Sequence, residues 1–210
     1  MQIAIALFDR VTALDAIGPY EVLQRLPGAE VRFVGHRRGE VRTDNGFLGL
    51  TVDHPFEDVS APEIVLVPGG IGTRALLDDE VILNWIRTVH VTSRFTTSVC
   101  TGSLLLAAAG LLNGLPATTH FSARQLLARY GAEPSEQRVV QVGKIITAAG
   151  VSSGIDMALT LAELLTDATT AKALQLMIEY DPQPPHDAGA LHKVDQAVLA
   201  RMGELSKIKN

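Results

Sequence analysis

Cys100, the only cysteine among the 210 residues, stands where a thiol could act as a nucleophile. It follows an apolar run, Phe95 to Val99, that predicts a strand, and it precedes an Ala/Leu-rich run, Leu104 to Leu112, that predicts a helix. Such a sharp strand-to-helix turn is the geometry of a nucleophile elbow. Because helix N-terminal amides favour an anion, we expect the pKa of the thiol below its free value of about 8.5. The alternative is a small buried hydrophobe, the ordinary role of a lone cysteine.

Three further segments are expected at the same sheet edge as Cys100. They are Leu14-Asp15-Ala16-Ile17-Gly18-Pro19 after the first strand, Pro68-Gly69-Gly70 after the strand Ile64 to Val67, and Ala149-Gly150-Val151 after a later hairpin. Ligands bind at the carboxyl ends of strands in open α/β sheets. Asp15 is there either as a reactive carboxyl group or as a helix cap or turn residue. Gly69-Gly70 is either a tight turn or a backbone whose amide meets a developing negative charge.

Histidine offers a second partner for the thiol. His120, in Ala117-Thr118-Thr119-His120, is either a base for a Cys/His pair or a structural residue. The other five histidines lack ligand spacings such as HxxxH or HExxH. We therefore expect no metal and no cofactor.

The elements that must position these residues alternate between strands and helices. Uninterrupted apolar runs of the kind that a buried parallel sheet needs occur at Ile3 to Leu7, Val31 to Val34, Ile64 to Val67 and Phe95 to Val99. Helical patterns occur notably at Tyr20 to Leu26 and Val81 to Val91, so the fold class is a doubly wound α/β layer structure. Two added hairpins are expected around Asp44-Asn45-Gly46 and around Gly143.

The chain reads as one α/β domain, residues 1 to 185, followed by a tail, residues 186 to 210. In the tail, apolar residues at spacings of three and four predict an amphipathic helix: Leu191, Val194, Val198, Met202 and Leu205. We expect this stripe to dock on the chain's own domain rather than on a partner.

Composition limits the partners. The net charge of −5 gives no electrostatic reason to expect nucleic acid as a partner, and no apolar run reaches the roughly 20 residues of a membrane span. The first residues lack a signal peptide, so we expect a cytoplasmic protein.

The motifs together resemble the DJ-1/PfpI (ThiJ) superfamily, and within it the isocyanide (isonitrile) hydratases. The motifs that carry the resemblance are Leu14-Asp15-x-x-Gly18-Pro19, Pro68-Gly69-Gly70, Ser98-Val99-Cys100-Thr101-Gly102, Ala117-Thr118-Thr119-His120 and Gly154-Ile155-Asp156. The resemblance implies a flavodoxin-like sandwich, usually a homodimer, with a reactive cysteine at the elbow. Asp15 and Thr101 favour the hydratases, because many other members carry a glutamate at the place of Asp15. Domains fused to AraC-type regulators share part of the pattern, but the residues after Pro185 are too few for a helix-turn-helix module.

The resemblance implies that an isocyanide is hydrated to an N-substituted formamide. Cys100 would attack the isocyanide carbon, and Asp15 would serve as acid and then as base, with the Thr101 hydroxyl bonded to Asp15. The amides of Gly70, Thr101 and Val151 would stabilise negative charge, with His120 in the substrate pocket. Two alternatives stay open: a glyoxalase or amidase with His120 as the base, and a cysteine redox sensor.

Overall fold

The computed structural model describes residues 1–207. Its strands are β1 (Gln2–Ala6), β2 (Glu30–Gly35), β3 (Gly39–Arg42), β4 (Gly49–Val52), β5 (His54–Pro55), β6 (Ile64–Val67), β7 (Phe95–Val99), β8 (Pro116–Ala117), β9 (Glu133–Pro134), β10 (Val139–Val142) and β11 (Ile145–Ala148). Its α-helices are α1 (Ala13–Leu23), α2 (Glu80–Thr92), α3 (Gly102–Ala108), α4 (Arg124–Arg129), α5 (Ser153–Leu165), α6 (Ala168–Met177) and α7 (Gln196–Lys207).

One sheet organises the first part of the chain. In the described residues it contains seven strands in the order β10-β11-β7-β6-β1-β2-β5. Neighbouring strands run parallel except for β10, which is antiparallel to β11. The chain passes from β1 to β2 on one side and later returns to β6 on the other, so the strand order reverses between β1 and β6. The predicted doubly wound, mostly parallel sheet is confirmed.

The sheet separates two apolar clusters, one on each face, because successive side chains of a strand point to opposite sides. In β1, Ala4 and Ala6 join the cluster that contains buried residues of α2 and α3. Ile3 and Ile5 join the other cluster, with buried residues of α1, α5 and α6. Burial on both faces explains why β1, β6 and β7 read as apolar or small side chains without polar alternation.

The first helix begins earlier than the sequence suggests. The helical pattern starts at Tyr20, whereas α1 begins at Ala13 and continues through Gly18-Pro19, which had the appearance of a turn. Pro19 is buried, and its ring leaves no spare room for a side chain at Gly154 of α5. Packing of α1 on α5 thus overrides the weak local helix propensity. The consequence is that Asp15 lies in the first turn of a helix.

The two predicted hairpins have different fates. Strands β3 and β4 form a separate antiparallel ribbon, as expected. The second hairpin is part of the main sheet, because β11 pairs in parallel with β7. The end of β11 therefore lies beside the end of β7, next to Cys100.

A second compact unit begins at Glu179 and contains α7, in the region where the apolar stripe predicts a helix. Residues 208 to 210 of the predicted tail lie outside the described residues, and docking of the tail stays a prediction. None of the helices in the described range is both long and apolar enough to cross a membrane.

The start of α3 has no space for a side chain at Gly102. A Cβ there would lie 2.0 Å from the carbonyl oxygen of Val67 and 2.8 Å from that of Pro68. We expect Gly102→Ala to lower the free energy of unfolding in urea by more than about 3 kcal/mol. As a control, Gly203→Ala places the same methyl group in open space within α7 and should alter stability by about 1 kcal/mol at most. Equal effects of the two substitutions would contradict this account.

Candidate active site

The backbone at Cys100 forms the predicted elbow. Its φ is +56°, a left-handed conformation that is uncommon for a residue with a side chain. The Cys100 amide donates to the carbonyl oxygens of Ala148 and Ala149, both at 3.0 Å. Its carbonyl oxygen accepts from the hydroxyl groups of Ser103 at 3.2 Å and Thr119 at 3.0 Å. Hydrogen bonds on both sides of the residue therefore hold the strained turn, which presents a 5% exposed cysteine.

The Asp15 carboxyl group faces the Cys100 thiol. Asp15 is fully buried, and its Oδ2 accepts from the Gly69 amide at 2.9 Å. Each of the two groups shifts the pKa of the other, so the thiol and this carboxyl group are neighbours in the site. Oδ1 is buried and has no hydrogen-bond partner in the described residues. Three segments, after β1, β6 and β7, thus converge on one carboxyl–thiol pair.

Both members of the pair hold their protons tightly. Burial raises the pKa of Asp15 to about 7, against the lowering effect of the Gly69 amide. Burial, followed by the Asp15 charge, raises the pKa of the Cys100 thiol. The pair therefore titrates as a unit, and it retains at least one proton at neutral pH.

The expected low pKa of the thiol is wrong for this resting site. The amide and hydroxyl of Thr101 do lower the pKa of Cys100, but burial and Asp15 outweigh them. Helix α3 has only seven residues, so its N-terminus lowers the pKa of the thiol only weakly. The reactive form is consequently a pair that shares a proton, with the thiolate formed when the proton moves to Asp15.

Thr101 bonds to a different partner from the one expected. Its hydroxyl does not bond to Asp15; it accepts from the Gly70 amide at 3.0 Å and lies 3.1 Å from the Gly70 carbonyl oxygen. The Thr73 hydroxyl donates to the Gly70 carbonyl oxygen at 2.8 Å and also reaches the Thr101 hydroxyl. The expectation that the Gly70 amide stabilises negative charge is also wrong, because Thr101 already occupies it. Gly69 supplies the amide that binds the reactive carboxyl group.

His120 and Val151 lie near the elbow without joining the pair. The His120 ring bonds through Nδ1 to the Ser122 hydroxyl at 2.8 Å, and burial followed by the Arg74 charge lowers the pKa of His120. The groups that shift the pKa of Cys100 are Asp15 and Thr101, not His120. Val151 is half-buried against the apolar cluster that includes Cys100. Its role in the substrate pocket stays a prediction.

A cleft of about 640 Å³ lies on the same sheet edge but does not contain the pair. It is bounded by the segments that follow β1 and β2, by β3 and β4, and by the 3-10 helix Ile71–Leu76. Neither Cys100 nor Asp15 lines it. This cleft is therefore distinct from the carboxyl–thiol pair.

The sequence analysis did not identify two further residues near Asp15, which are Thr12 and Asp44. Thr12 precedes α1, and its hydroxyl donates to Asp44 Oδ2 at 3.0 Å. The turn Asp44-Asn45-Gly46 signalled a hairpin, but nothing in it indicates where the hairpin docks. The β-bridge between Val11 and Thr43 brings this hairpin to the site.

The arrangement suits covalent chemistry on a small electrophile. A thiol and a carboxyl group that share one proton supply a nucleophile and a proton donor together, and the carboxylate that results is a base. In the part of the chain that the structure describes, no three His, Cys, Asp or Glu residues are grouped to hold a metal ion.

Known proteins share this chain's sequence and fold. The DJ-1/PfpI family matches residues 1–164. An isonitrile hydratase from Pseudomonas putida is 44% identical over 199 residues, which cover 95% of this chain and 87% of that protein. A Parkinson disease protein 7 homolog from Danio rerio is 26% identical over 163 residues, 75% of this chain and 86% of that protein. A crystal structure of a ThiJ/PfpI family protein from Pseudomonas syringae has a TM-score of 0.92 and 38% identity, covering 97% of this chain and 85% of that one.

The raised pKa of Asp15 predicts a stability cost at neutral pH. The folded state binds the proton more tightly than the unfolded state, whose carboxyl pKa is about 3.9, so stability falls as the pH rises from about 4 to about 7. Asp15→Asn removes this titration. We expect the variant to gain stability relative to the wild type between pH 4 and pH 8, by an amount on the order of a few kcal/mol. Urea denaturation at each pH measures the difference.

The matched control is Asp53→Asn, which neutralises an exposed carboxylate. A stability difference between Asp15→Asn and the wild type that stays constant with pH, as for the control, would show that Asp15 titrates normally.

Proposed function

Because the chain belongs to the DJ-1/PfpI family and pairs Cys100 with a buried aspartate, we propose that it is an isonitrile hydratase, a lyase that converts an isocyanide and water into an N-substituted formamide. The observation that carries the proposal is that the buried Asp15 carboxyl group, and not His120, acts on the pKa of the Cys100 thiol. The Pseudomonas putida relative named isonitrile hydratase supports the same reaction.

The first half of the reaction forms a carbon–sulfur bond. The proton of the Cys100 thiol moves to Asp15, and the thiolate attacks the terminal isocyanide carbon, which has no leaving group. Asp15 then delivers its proton to that carbon, giving a thioimidate, in which the carbon is bonded to sulfur and hydrogen and doubly bonded to nitrogen. All atoms of the isocyanide remain on the enzyme. Because the pKa of Asp15 is about 7, the carboxyl group is a competent donor near neutral pH.

The second half breaks the same carbon–sulfur bond. The Asp15 carboxylate takes a proton from water as the water oxygen adds to the thioimidate carbon, and it passes this proton to the nitrogen. Collapse of the adduct breaks the carbon–sulfur bond and releases the formamide, and the hydroxyl proton of the adduct passes to the Asp15–Cys100 pair, which restores the shared proton. One carboxyl group serves both halves, since donating a proton in the first prepares it to accept one in the second.

Thr101 stabilises negative charge on the Cys100 sulfur, whereas no bond joins its hydroxyl group to Asp15. Its amide lowers the pKa of the thiol, which means that the amide stabilises the anionic sulfur. The hydroxyl is held in turn by the Gly70 backbone. In this proposal Thr101 stabilises charge on sulfur at the start and the end of the cycle, whereas Gly70 acts by fixing Thr101.

Association of two copies is part of the proposal. The family resemblance implies a homodimer, and large apolar side chains stand exposed at the start of α1 and on the β3–β4 turn: Leu14, Phe47 and Leu48. Burying such side chains against a second copy removes apolar surface from water. We expect sedimentation to give twice the 22.5 kDa chain mass and Phe47→Glu to weaken the dimer. A wild type that sediments as a single chain at micromolar concentration would contradict the dimer.

Formation of an N-alkyl formamide from a simple isocyanide, followed by ultraviolet absorbance, tests the reaction. We expect turnover by the wild type and its loss, by roughly a thousandfold or more, in Cys100→Ala and in Asp15→Asn. Asp53→Asn is the matched control and should match the wild type. His120→Gln should retain turnover, because His120 is not among the groups that shift the pKa of the thiol.

Two results would decide against this assignment. No turnover by protein with a reduced thiol, over several isocyanides, would reject the hydratase. Loss of activity in His120→Gln with retention in Asp15→Asn would instead identify His120 as the base, and the aldehyde and amide substrates of the alternative would then be assayed.

A further inference from the structure

The β3–β4 ribbon delivers a carboxylate to the active site from outside the sheet edge. Asp44 follows β3, and its amide donates to the Val11 carbonyl oxygen at 3.0 Å. Its side chain accepts from the Thr12 hydroxyl at 3.0 Å. Asp44 is half-buried, and no basic side chain in residues 1–206 forms an ion pair with it. Its negative charge is therefore not neutralised by a neighbour.

Hydrogen bonds connect Asp44 to the reactive carboxyl group through two residues. The Thr12 amide donates to the Gly69 carbonyl oxygen at 2.9 Å, and the Gly69 amide donates to Asp15 Oδ2 at 2.9 Å. A second link is direct, because the Asp15 amide donates to the Thr12 carbonyl oxygen at 3.1 Å. A shift of Thr12 would thus move both the amide that binds Asp15 and the first turn of α1. The Asp44 side chain is the contact that fixes Thr12 from the ribbon.

The charged groups around Asp15 come from several elements. Cys100 lies at the end of β7, and Asp44 lies on the ribbon. Arg74, on the 3-10 helix Ile71–Leu76, bonds to the Gly70 carbonyl oxygen at 3.3 Å and acts on His120. Of these groups, Cys100 and Asp44 affect Asp15, and the Asp44 charge acts with burial to raise the pKa of Asp15.

We propose that Asp44 is a positioning residue of the reaction: its carboxylate fixes Thr12, and its unpaired negative charge acts on the carboxyl–thiol pair. The role in turnover rests on the proposed hydratase function. The role in proton affinity does not, because it concerns the pair itself. A carboxylate of the ribbon thereby contributes, beside burial, to the pH at which the site becomes a nucleophile.

The test changes the charge of Asp44 and keeps an acceptor for the Thr12 hydroxyl group. Asp44→Asn keeps an oxygen acceptor for Thr12 and removes the charge. Glu40→Gln removes a charge from the same ribbon at a residue that pairs with Arg42, and it is the matched control. The rate of Cys100 alkylation by iodoacetamide, measured against pH, reports ionisation of the pair without any need for turnover, since Cys100 is the only thiol. The pH profile of kcat/KM on an isocyanide reports the same ionisation in catalysis.

We expect Asp44→Asn to shift the midpoints of both profiles to lower pH by about half a unit, because a neutral side chain no longer opposes loss of the proton. Glu40→Gln should leave both midpoints unchanged. Asp44→Ser, also a neutral acceptor, should repeat the shift if the asparagine variant folds poorly. Midpoints of both neutral variants that coincide with the wild type would overturn the proposal. A shift in alkylation from a protein without hydratase turnover would uphold the effect on the pair and reject the hydratase function.

Discussion

A proton shared between a buried carboxyl group and a buried thiol is the constraint on which this site depends. Ionisation of Asp15 or Cys100 costs free energy, because burial disfavours each charge and the two negative charges would repel each other. One proton satisfies both groups, and its transfer generates a nucleophile and an acid in a single step. A thiol made permanently anionic by a helix N-terminus would lack this coupled acid, so the raised pKa values suit the reaction better than the low one that the elbow motif suggests.

At this edge of the sheet, the fold brings three chain segments together at the Asp15–Cys100 pair. The reversal of strand order between β1 and β6 opens the crevice, α1 carries Asp15 into it, and the strained backbone of Cys100 lifts the sulfur beside the carboxyl group. The glycines at 69, 70 and 102 allow these backbones to approach where a methyl group would collide. The arrangement costs stability, since a normal carboxyl group would prefer water at pH 7. That cost is typical of a site selected for function rather than for packing.

Local sequence patterns predicted the parts of the site that depend on one segment. The apolar run Phe95 to Val99 coincides with β7, and the elbow follows it as expected. The contacts of Thr101 and Asp44 depend on distant segments. A threonine beside a cysteine does not reveal that the Gly70 backbone will occupy its hydroxyl, and an Asp-Asn-Gly turn does not reveal that its ribbon docks on Val11. The pKa of Cys100 was mispredicted for the same reason, because burial is a property of the assembled fold and the helix N-terminus is a property of the local chain.

Mass spectrometry of Cys100 during turnover tests the account most directly. Protein mixed with an isocyanide and quenched in acid should yield a Cys100 peptide heavier by the full mass of the isocyanide, because attack and proton delivery add every atom of the substrate. Asp15→Gln or Asp15→Asn should not accumulate this adduct at the wild-type rate, since the proton donor is absent. Steady formamide production by the wild type without any such adduct, at quench times shorter than one turnover, would contradict covalent catalysis by Cys100.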